Sequence, residues 1–351
     1  MRFAFLTSTP LTVTEGSGTF VGLDTLAAGL AAAGHEVAVR PLRMRTRFHT
    51  LDRYLYNVGI VLAPPVADVV VGVDLDGFMW AGRRAGRYVV SLKGIIADEL
   101  RHERGLTRAL LRRQARWERL NVARADRVIV PSEYSAWVAQ REYGVSRDRL
   151  TVVPEPIDLD EWERRLAAVE RWPSDRPVVL SVGRMYPRKR FGDLLRAAAL
   201  LRERIPGVAV RVVGKGPEWG RVHALREALG LGETVTLLGE VSRSRLAVEY
   251  ASADCFCLPS VQEGFGIVFA EAMAAGLAVV ACRAAAVPEV VIDRRTGLLV
   301  NPGSPEELAM ALETLLTNHG LRKDLGAAGR DRVTRFTRDR IAARFVEAAL
   351  G

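Results

Sequence analysis

The sequence predicts two doubly wound α/β domains, each a parallel sheet with helices on both faces. Three observations carry this expectation. Short, continuous Val- and Ile-rich runs alternate with helical patterns, as strands buried on both faces require. The alternation stops around Pro154, Pro156, Pro173 and Pro177 and then starts again. At 351 residues, with 49% hydrophobic and 26% charged residues, the chain has the length and composition for two folded domains.

Taken in order, Arg2 to Thr7 is a strand and Glu15-Gly16-Ser17-Gly18 a loop. A helix from about Phe20 to Ala33 carries Leu23, Leu26, Ala27 and Leu30 on one face, and Gly34 ends it. Strands follow at His35 to Val39, Val69 to Val73, Tyr88 to Leu92, Arg127 to Val130 and Leu150 to Val153, completing a first domain over residues 1–157. Residues 158–176 hold the acidic, tryptophan-bearing stretch Leu159 to Trp172 and read as a hinge. A second domain, 177–335, has strands at Val178 to Val182, Ala209 to Val213, Thr234 to Leu238, Cys255 to Leu258 and Ala278 to Ala281. Its clearest helix runs from Phe191 to Arg204. Residues 336–351 form a terminal helix, with a return to the first domain as one arrangement. Ligands are expected at the carboxyl ends of the strands, in a central cleft between the domains.

The net charge of +9 admits nucleic acid, anionic membrane or phosphorylated substrates as partners, but also a plain compositional bias. Arginine is used almost to the exclusion of lysine, which occurs only at Lys93, Lys189, Lys215 and Lys323. Cys255 and Cys257 alternate along an apolar run and read as core residues of a buried strand, with neither a disulfide nor a metal site. No apolar stretch is long enough to span a bilayer, and Met1 to Thr9 reads as a strand rather than a signal peptide. A cytoplasmic chain is the expectation, with a peripheral site on the inner face of the membrane as a variant of it.

Two segments carry chemistry. In the first, Pro259 to Met273, a strand that ends near Leu258 gives way to a glycine-bearing turn and then to a helix from about Ile267. Gly264 and Gly266, flanking Phe265, remove side chains where a ligand could meet backbone N–H groups, and Glu263 and Glu271 could accept from hydroxyls. A tight turn with two surface acids is the competing reading. The second is Gly183-Arg184 with Lys189, on the loop leaving the strand that ends at Val182. Two cations there could clamp a diphosphate, guanidinium as a fork and ammonium as a point charge. A solvated basic loop is the alternative.

From Val178 to Val300 the sequence resembles the donor domain of retaining glycosyltransferases of family four, the group 1 type with the GT-B fold. Glu263 and Glu271 match the family's pair of glutamates spaced by seven residues. Gly183-Arg184 with Lys189 matches its strand-end motif, and Gly214-Lys215-Gly216-Pro217 resembles its glycine-rich turn. The resemblance implies that Glu271 holds the ribose, and that Glu263 with the backbone of Gly264 to Gly266 holds the sugar. Arg184 and Lys189 would neutralise the departing diphosphate, and the base would rest near Gly239 to Val241. It also implies a nucleotide-sugar donor, with a UDP-sugar favoured, retention of anomeric configuration, and no metal or other cofactor. The acceptor stays unidentified, with a small molecule, a glycan or a lipid-linked acceptor all open, and nucleic acid is not an expected partner. The first half resembles the family more loosely, through Gly16, Ser17 and Gly18 and the Gly-His-Glu-Val that ends the first helix.

Two departures stand out from that pattern. Many relatives carry a histidine after the strand at Tyr88 to Leu92, where this chain has Lys93; a contact with donor, acceptor or phosphate is one reading and a surface lysine the other. Glu155-Pro156 replaces the family's usual Asn-Gly. Asp74-Leu75-Asp76 is not read as a metal motif; acceptor binding at Asp74 and Asp76 competes with a loop that caps the segment from Phe78. Arg101 to Arg127 reads first as a solvated helix whose apolar stripe packs on the sheet, and second as a basic amphipathic helix on anionic lipid, extended by Arg43, Arg45 and Arg47. A non-catalytic nucleotide-sugar-binding or membrane-associated protein is the alternative to the enzyme. A nicotinamide oxidoreductase would need a full Gly-x-Gly-x-x-Gly, which the first loop lacks.

Overall fold

Each half of the chain builds its own six-stranded parallel sheet. The computed structural model describes the chain apart from residues 11, 12, 43, 44, 47, 84, 85 and 171–174; the side chains of 13–17 also lie outside the described residues. Two compact units result: Met1–Pro156 with Arg338–Gly351, and Ile157–Thr337.

The first unit contains β1 (Arg2–Thr7), β2 (Glu36–Pro41), β3 (Val69–Val73), β4 (Arg87–Ser91), β5 (Arg127–Val130) and β6 (Leu150–Val152), in the order β2-β1-β3-β4-β5-β6. Alternate residues of each strand feed different cores. Ala4, Leu6, Val70, Val90, Val128 and Val130 join one cluster, while Phe3, Phe5, Val69, Val71, Val89 and Ile129 join the other. Burial on both faces is why these strands read as unbroken apolar runs rather than alternating ones. The helix Arg338–Leu350 belongs to the second of those clusters through Ile341, Ala342 and Phe345, with Phe345 5.8 Å from Phe5. At Gly29 an added Cβ would lie 2.9 Å from the Ala342 Cβ, so glycine there allows this helix to approach the helix Val13–Ala32.

The second unit contains β7 (Val178–Val182), β8 (Ala209–Val213), β9 (Val235–Gly239), β10 (Cys255–Leu258), β11 (Ala278–Cys282) and β12 (Gly297–Val300), in the order β12-β11-β10-β7-β8-β9. Counted from β7, this is the 3-2-1-4-5-6 order of dinucleotide-binding sheets. Cys255, Cys257 and Cys282 are all buried in these strands, and burial pushes the Cys255 and Cys282 thiols up to about 12. Residues 158–176, read as a hinge, include the helix Leu159–Ala167, capped by the Asp158 carboxylate on Glu161 N–H at 2.9 Å.

Two elements differ from the expectation. The first helix spans Val13–Ala32, so the segment Glu15 to Gly18, read as a loop, falls within it. Glycine disfavours a helix by only about 1 kcal/mol per residue, too little to decide the matter alone. The side chain of Ser17 lies outside the described residues, and Arg43 and Arg47 lie outside them altogether. Strand β12 escaped notice because it begins at a glycine. An added Cβ at Gly297 would sit 2.3 Å from the Val279 carbonyl oxygen, so the close pairing with β11 requires that residue.

Candidate functional site

In the second unit the chain leaves β7 towards β8 and β9, and leaves β10 towards β11 and β12, although β7 and β10 are neighbours. Loops departing in opposite directions from adjacent strands open a crevice at their carboxyl ends, the usual ligand position in such sheets. Both segments singled out in the sequence leave from this switch point. Lys189 Nζ lies 2.5 Å from Glu263 Oε1, and both side chains are largely buried. Backbone contacts fix the two loops: Val261 N–H donates to the Arg188 carbonyl at 2.9 Å. The Ser260 hydroxyl donates to the Gln262 carbonyl at 3.1 Å. Arg184 leaves the same loop, its guanidinium 5.6 Å from the Tyr186 ring.

The helix Ile267–Ala274 opens at Gly266, whose φ of 89° is the left-handed cap conformation that favours glycine. Phe265 turns its ring into the core, 5.1 Å from Phe336. Glu271 sits on the second turn of this helix and is half-buried. Its Oε2 accepts the Tyr250 hydroxyl at 3.0 Å, and its carbonyl accepts Trp162 Nε1–H at 3.0 Å. Burial pushes the Glu271 carboxyl up to about 7, against the lowering effects of the Tyr250 hydrogen bond and the Arg243 charge.

The glycine-rich turn after β8 packs on the loop after β7. Met185 N–H donates to the Lys215 carbonyl at 3.0 Å, and Gly214 N–H to the Gly239 carbonyl at 2.7 Å. A Cβ at Gly214, where φ is 118°, would lie 2.2 Å from the Gly183 carbonyl oxygen; at Gly216 it would lie 2.6 Å from Met185 N. At Gly239, with φ 68°, it would meet Lys215 Cε at 3.0 Å. These glycines therefore let three strand ends close on one another. Lys215 Nζ lies 5.2 Å from the Trp219 ring, and Val241 is half-buried beside the core. Gly183 differs, since a Cβ there meets only ordinary contacts, Phe191 Cζ at 3.6 Å being nearest. Gly214→Ala should therefore lower the unfolding free energy by about 2 kcal/mol or more in a denaturant titration. Gly183→Ala should leave stability nearly unchanged, so any loss of ligand affinity there would report on the crevice.

In the first unit the corresponding strand ends are those of β1, β3 and β4. Asp76 is buried and used within the fold: its carboxylate accepts Ser8 N–H at 2.5 Å, the Ser8 hydroxyl at 2.7 Å and Asn57 Nδ2–H at 3.2 Å. Asp74 adopts a φ of 55°, and its Oδ1 accepts Lys93 N–H at 2.8 Å. Burial pushes the Asp74 carboxyl up to about 6, with the Arg53 charge opposing. Lys93 is not a surface lysine. Its ammonium lies 2.9 Å from both oxygens of Glu155, and both side chains are almost wholly buried. Gly18 is half-buried within the helix Val13–Ala32. Ser8, Asn57, Glu155, Trp162 and Tyr250 all went unmarked in the sequence as partners of these residues. Their types and spacing carried no signal, because each partner comes from a distant element.

Two Rossmann-like domains of these strand orders define a chain of the GT-B class, and its likeness to solved structures agrees. Sucrose-phosphate synthase from Thermosynechococcus elongatus superposes with a TM-score of 0.81 at 23% identity, covering 99% of this chain and 97% of that one. The sequence family described as Glycosyl transferases group 1 matches residues 163–332, and Glycosyltransferase Family 4 matches residues 16–161. This chain belongs to the group 1, family 4 glycosyltransferases. Among curated relatives, the GDP-mannose-dependent alpha-(1-6)-phosphatidylinositol monomannoside mannosyltransferase of Mycobacterium tuberculosis is 35% identical over 216 residues, 59% of this chain and 54% of that protein. The D-inositol 3-phosphate glycosyltransferase of Nocardia farcinica is 37% identical over 229 residues, 60% of this chain and 51% of that protein. The chain thus spans about half the length of the curated relatives it matches. Among the described residues no helix is long and apolar enough to cross a membrane.

Proposed function

We propose that the protein transfers a glycosyl group from a nucleoside-diphosphate sugar, bound by the second unit, to an acceptor hydroxyl. The observation that carries this reading is the meeting of Lys189 and Glu263 at the switch point between β7 and β10, beside the helix that bears Glu271. In the reaction the bond from the anomeric carbon to the diphosphate oxygen breaks, a bond to the acceptor oxygen forms, and the acceptor proton passes to the departing diphosphate oxygen. Negative charge builds on the diphosphate. Lys189, held by Glu263, and Arg184 supply fixed positive charge there, an arrangement worth about 3 kcal/mol for each well-aimed donor. Glu271 accepts from the ribose hydroxyls. Retention of configuration and independence of metal ions belong to this proposal, and full turnover in EDTA is its expected result. GDP-mannose, the donor in the mannosyltransferase relative's name, is the first donor to set against the UDP-sugars that the family resemblance favours.

The test is calorimetric titration with UDP, GDP and their sugars, combined with an assay for release of nucleoside diphosphate. Binding with acceptor-dependent release supports transfer. Binding without release under any acceptor leaves a nucleotide-sugar-binding protein, and absence of binding removes the reading. The Glu271 carboxyl, raised to about 7, adds a pH signature. Hydroxyls donate more strongly to the carboxylate than to the protonated acid, so binding favours the ionised form. Affinity should be level above that pH and fall towards about tenfold per unit below it. Glu271→Gln should flatten the profile; an unchanged slope would assign the titration to another group.

A further inference from the structure

Two neighbouring helices of the first unit, His49–Leu62 and Gly105–Ala123, bury their polar residues and turn leucines outward. The inward residues serve the turn that follows β3 and the segment that follows β4. Asn57 Oδ1 accepts Gly77 N–H at 2.6 Å, Asn121 Nδ2–H donates to the Asp74 carbonyl at 2.8 Å, and Glu118 Oε2 accepts Ile96 N–H at 2.9 Å. The second helix packs its apolar stripe inward only in part, with Leu111 and Trp117 joining Ala115 beside Leu75 and Phe78, a correction of the expectation that the whole stripe meets the sheet. Its buried positions are Gln114, Ala115, Glu118, Asn121 and Val122, while Leu106 is 75% exposed and Leu110 and Leu120 are also exposed.

The outward residues form an ordered surface. Leu51, Leu55 and Leu62 recur at helical spacing with Val58 between them, and the three leucines are exposed, as is Phe48 just before the helix. Leu106 and Leu110 share one side of the second helix with the half-buried Trp117, which stacks on Phe78 and meets Tyr54 of the first at 5.8 Å between ring centroids. Gln114 Nε2–H donates to the Thr50 hydroxyl at 2.8 Å, joining the two helices on that side. Along the second helix, Arg108, Arg112, Arg116 and Arg119 form an exposed row, and its single acid, Glu118, is wholly buried. An apolar strip bordered by uncompensated arginines has the chemistry of an interfacial membrane surface: leucines enter the acyl boundary while guanidinium groups meet lipid phosphates. Exposed apolar area on this scale marks an interaction site in a folded protein.

We infer that this two-helix face docks on an anionic lipid bilayer. Charge complementarity selects that occupant over a second copy of the chain, whose identical face would bring arginine rows together. The inference does not rest on glycosyl transfer and fails or holds independently of it.

Co-sedimentation of the whole protein with vesicles tests it, using phosphatidylcholine with about one third phosphatidylglycerol against phosphatidylcholine alone. Binding should need the anionic lipid and weaken steeply with salt. R108Q/R112Q/R116Q/R119Q should lower the partition coefficient by roughly five hundredfold, since each basic residue near the surface contributes about fivefold. L51S/L55S/L62S should also release the protein, while R204Q/R221Q in the second unit should change nothing. Far-UV circular dichroism confirms that each variant is folded. Equal binding to neutral vesicles, or unchanged binding by the four-arginine variant, overturns the inference. So does a dimer or an acidic protein partner that occupies this face in place of lipid.

Discussion

Lys189→Ala should cut turnover by about two to three orders of magnitude, the usual cost of removing one charge-stabilising donor from a reacting site. Its effect is large because Lys189 meets Glu263 in a largely desolvated position at the end of β7. That same burial complicates the single variant. It leaves the Glu263 carboxylate without its cation, and breaking a buried pair from one side costs about 3–5 kcal/mol of stability. K189M/E263Q removes both charges and should fold close to normally while remaining inactive. Arg184→Ala gives a second, independent reading of the same clamp, with a comparable loss expected. Single-turnover kinetics at saturating donor separates the chemical step from binding. Normal turnover in K189M/E263Q and in Arg184→Ala would take the diphosphate clamp out of the mechanism.

The Lys93–Glu155 pair gives the second large effect. Lys93→Met alone leaves a carboxylate buried beside Gly22, where an added Cβ would sit 2.1 Å from Glu155 Oε2, so the carboxylate has little room to relocate. The expected loss is about 3–5 kcal/mol, or roughly 10 °C in melting temperature for a unit of this size. Glu155→Leu alone should be comparably damaging. K93M/E155L should recover most of the loss, because well-packed apolar replacements of a buried pair are often neutral or better. Turnover of this double variant then decides what Lys93 is for. Activity near that of the parent assigns the pair to stability. A folded but inactive double variant assigns Lys93 a contact with the reacting molecules.

The sheets were readable because strands buried on both faces leave continuous apolar runs, as at Val178 to Val182 and Cys255 to Leu258. The motif residues at the two strand ends were readable as types, but their partnership was not. Lys189 and Glu263 are 74 positions apart, and Lys93 and Glu155 are 62 apart. No periodicity links residues at such separations; only the strand order brings them together. Lys93 and Glu155 had each drawn notice as a departure from the family pattern, and the structure joins them into one interaction. Asp76 shows the reverse limit, since a carboxylate that serves Ser8 and Asn57 looks the same in sequence as one that serves a ligand. The helix Gly105–Ala123 was legible only in part: Leu111 and Trp117 pack inward beside Ala115, but the rest of its inner face hydrogen-bonds the segments after β3 and β4.

The return of Arg338–Leu350 to the first unit has a bearing on how the protein is made. The residues that complete the Phe3 and Phe5 face leave the ribosome only after all of Ile157–Thr337 has emerged. Translation order is therefore inverted relative to folding order: the contiguous second unit can finish first, while the earlier-made segment waits for its closing helix with apolar surface uncovered. Clipping near residue 337 would return the chain to that unfinished state, with aggregation as the visible result.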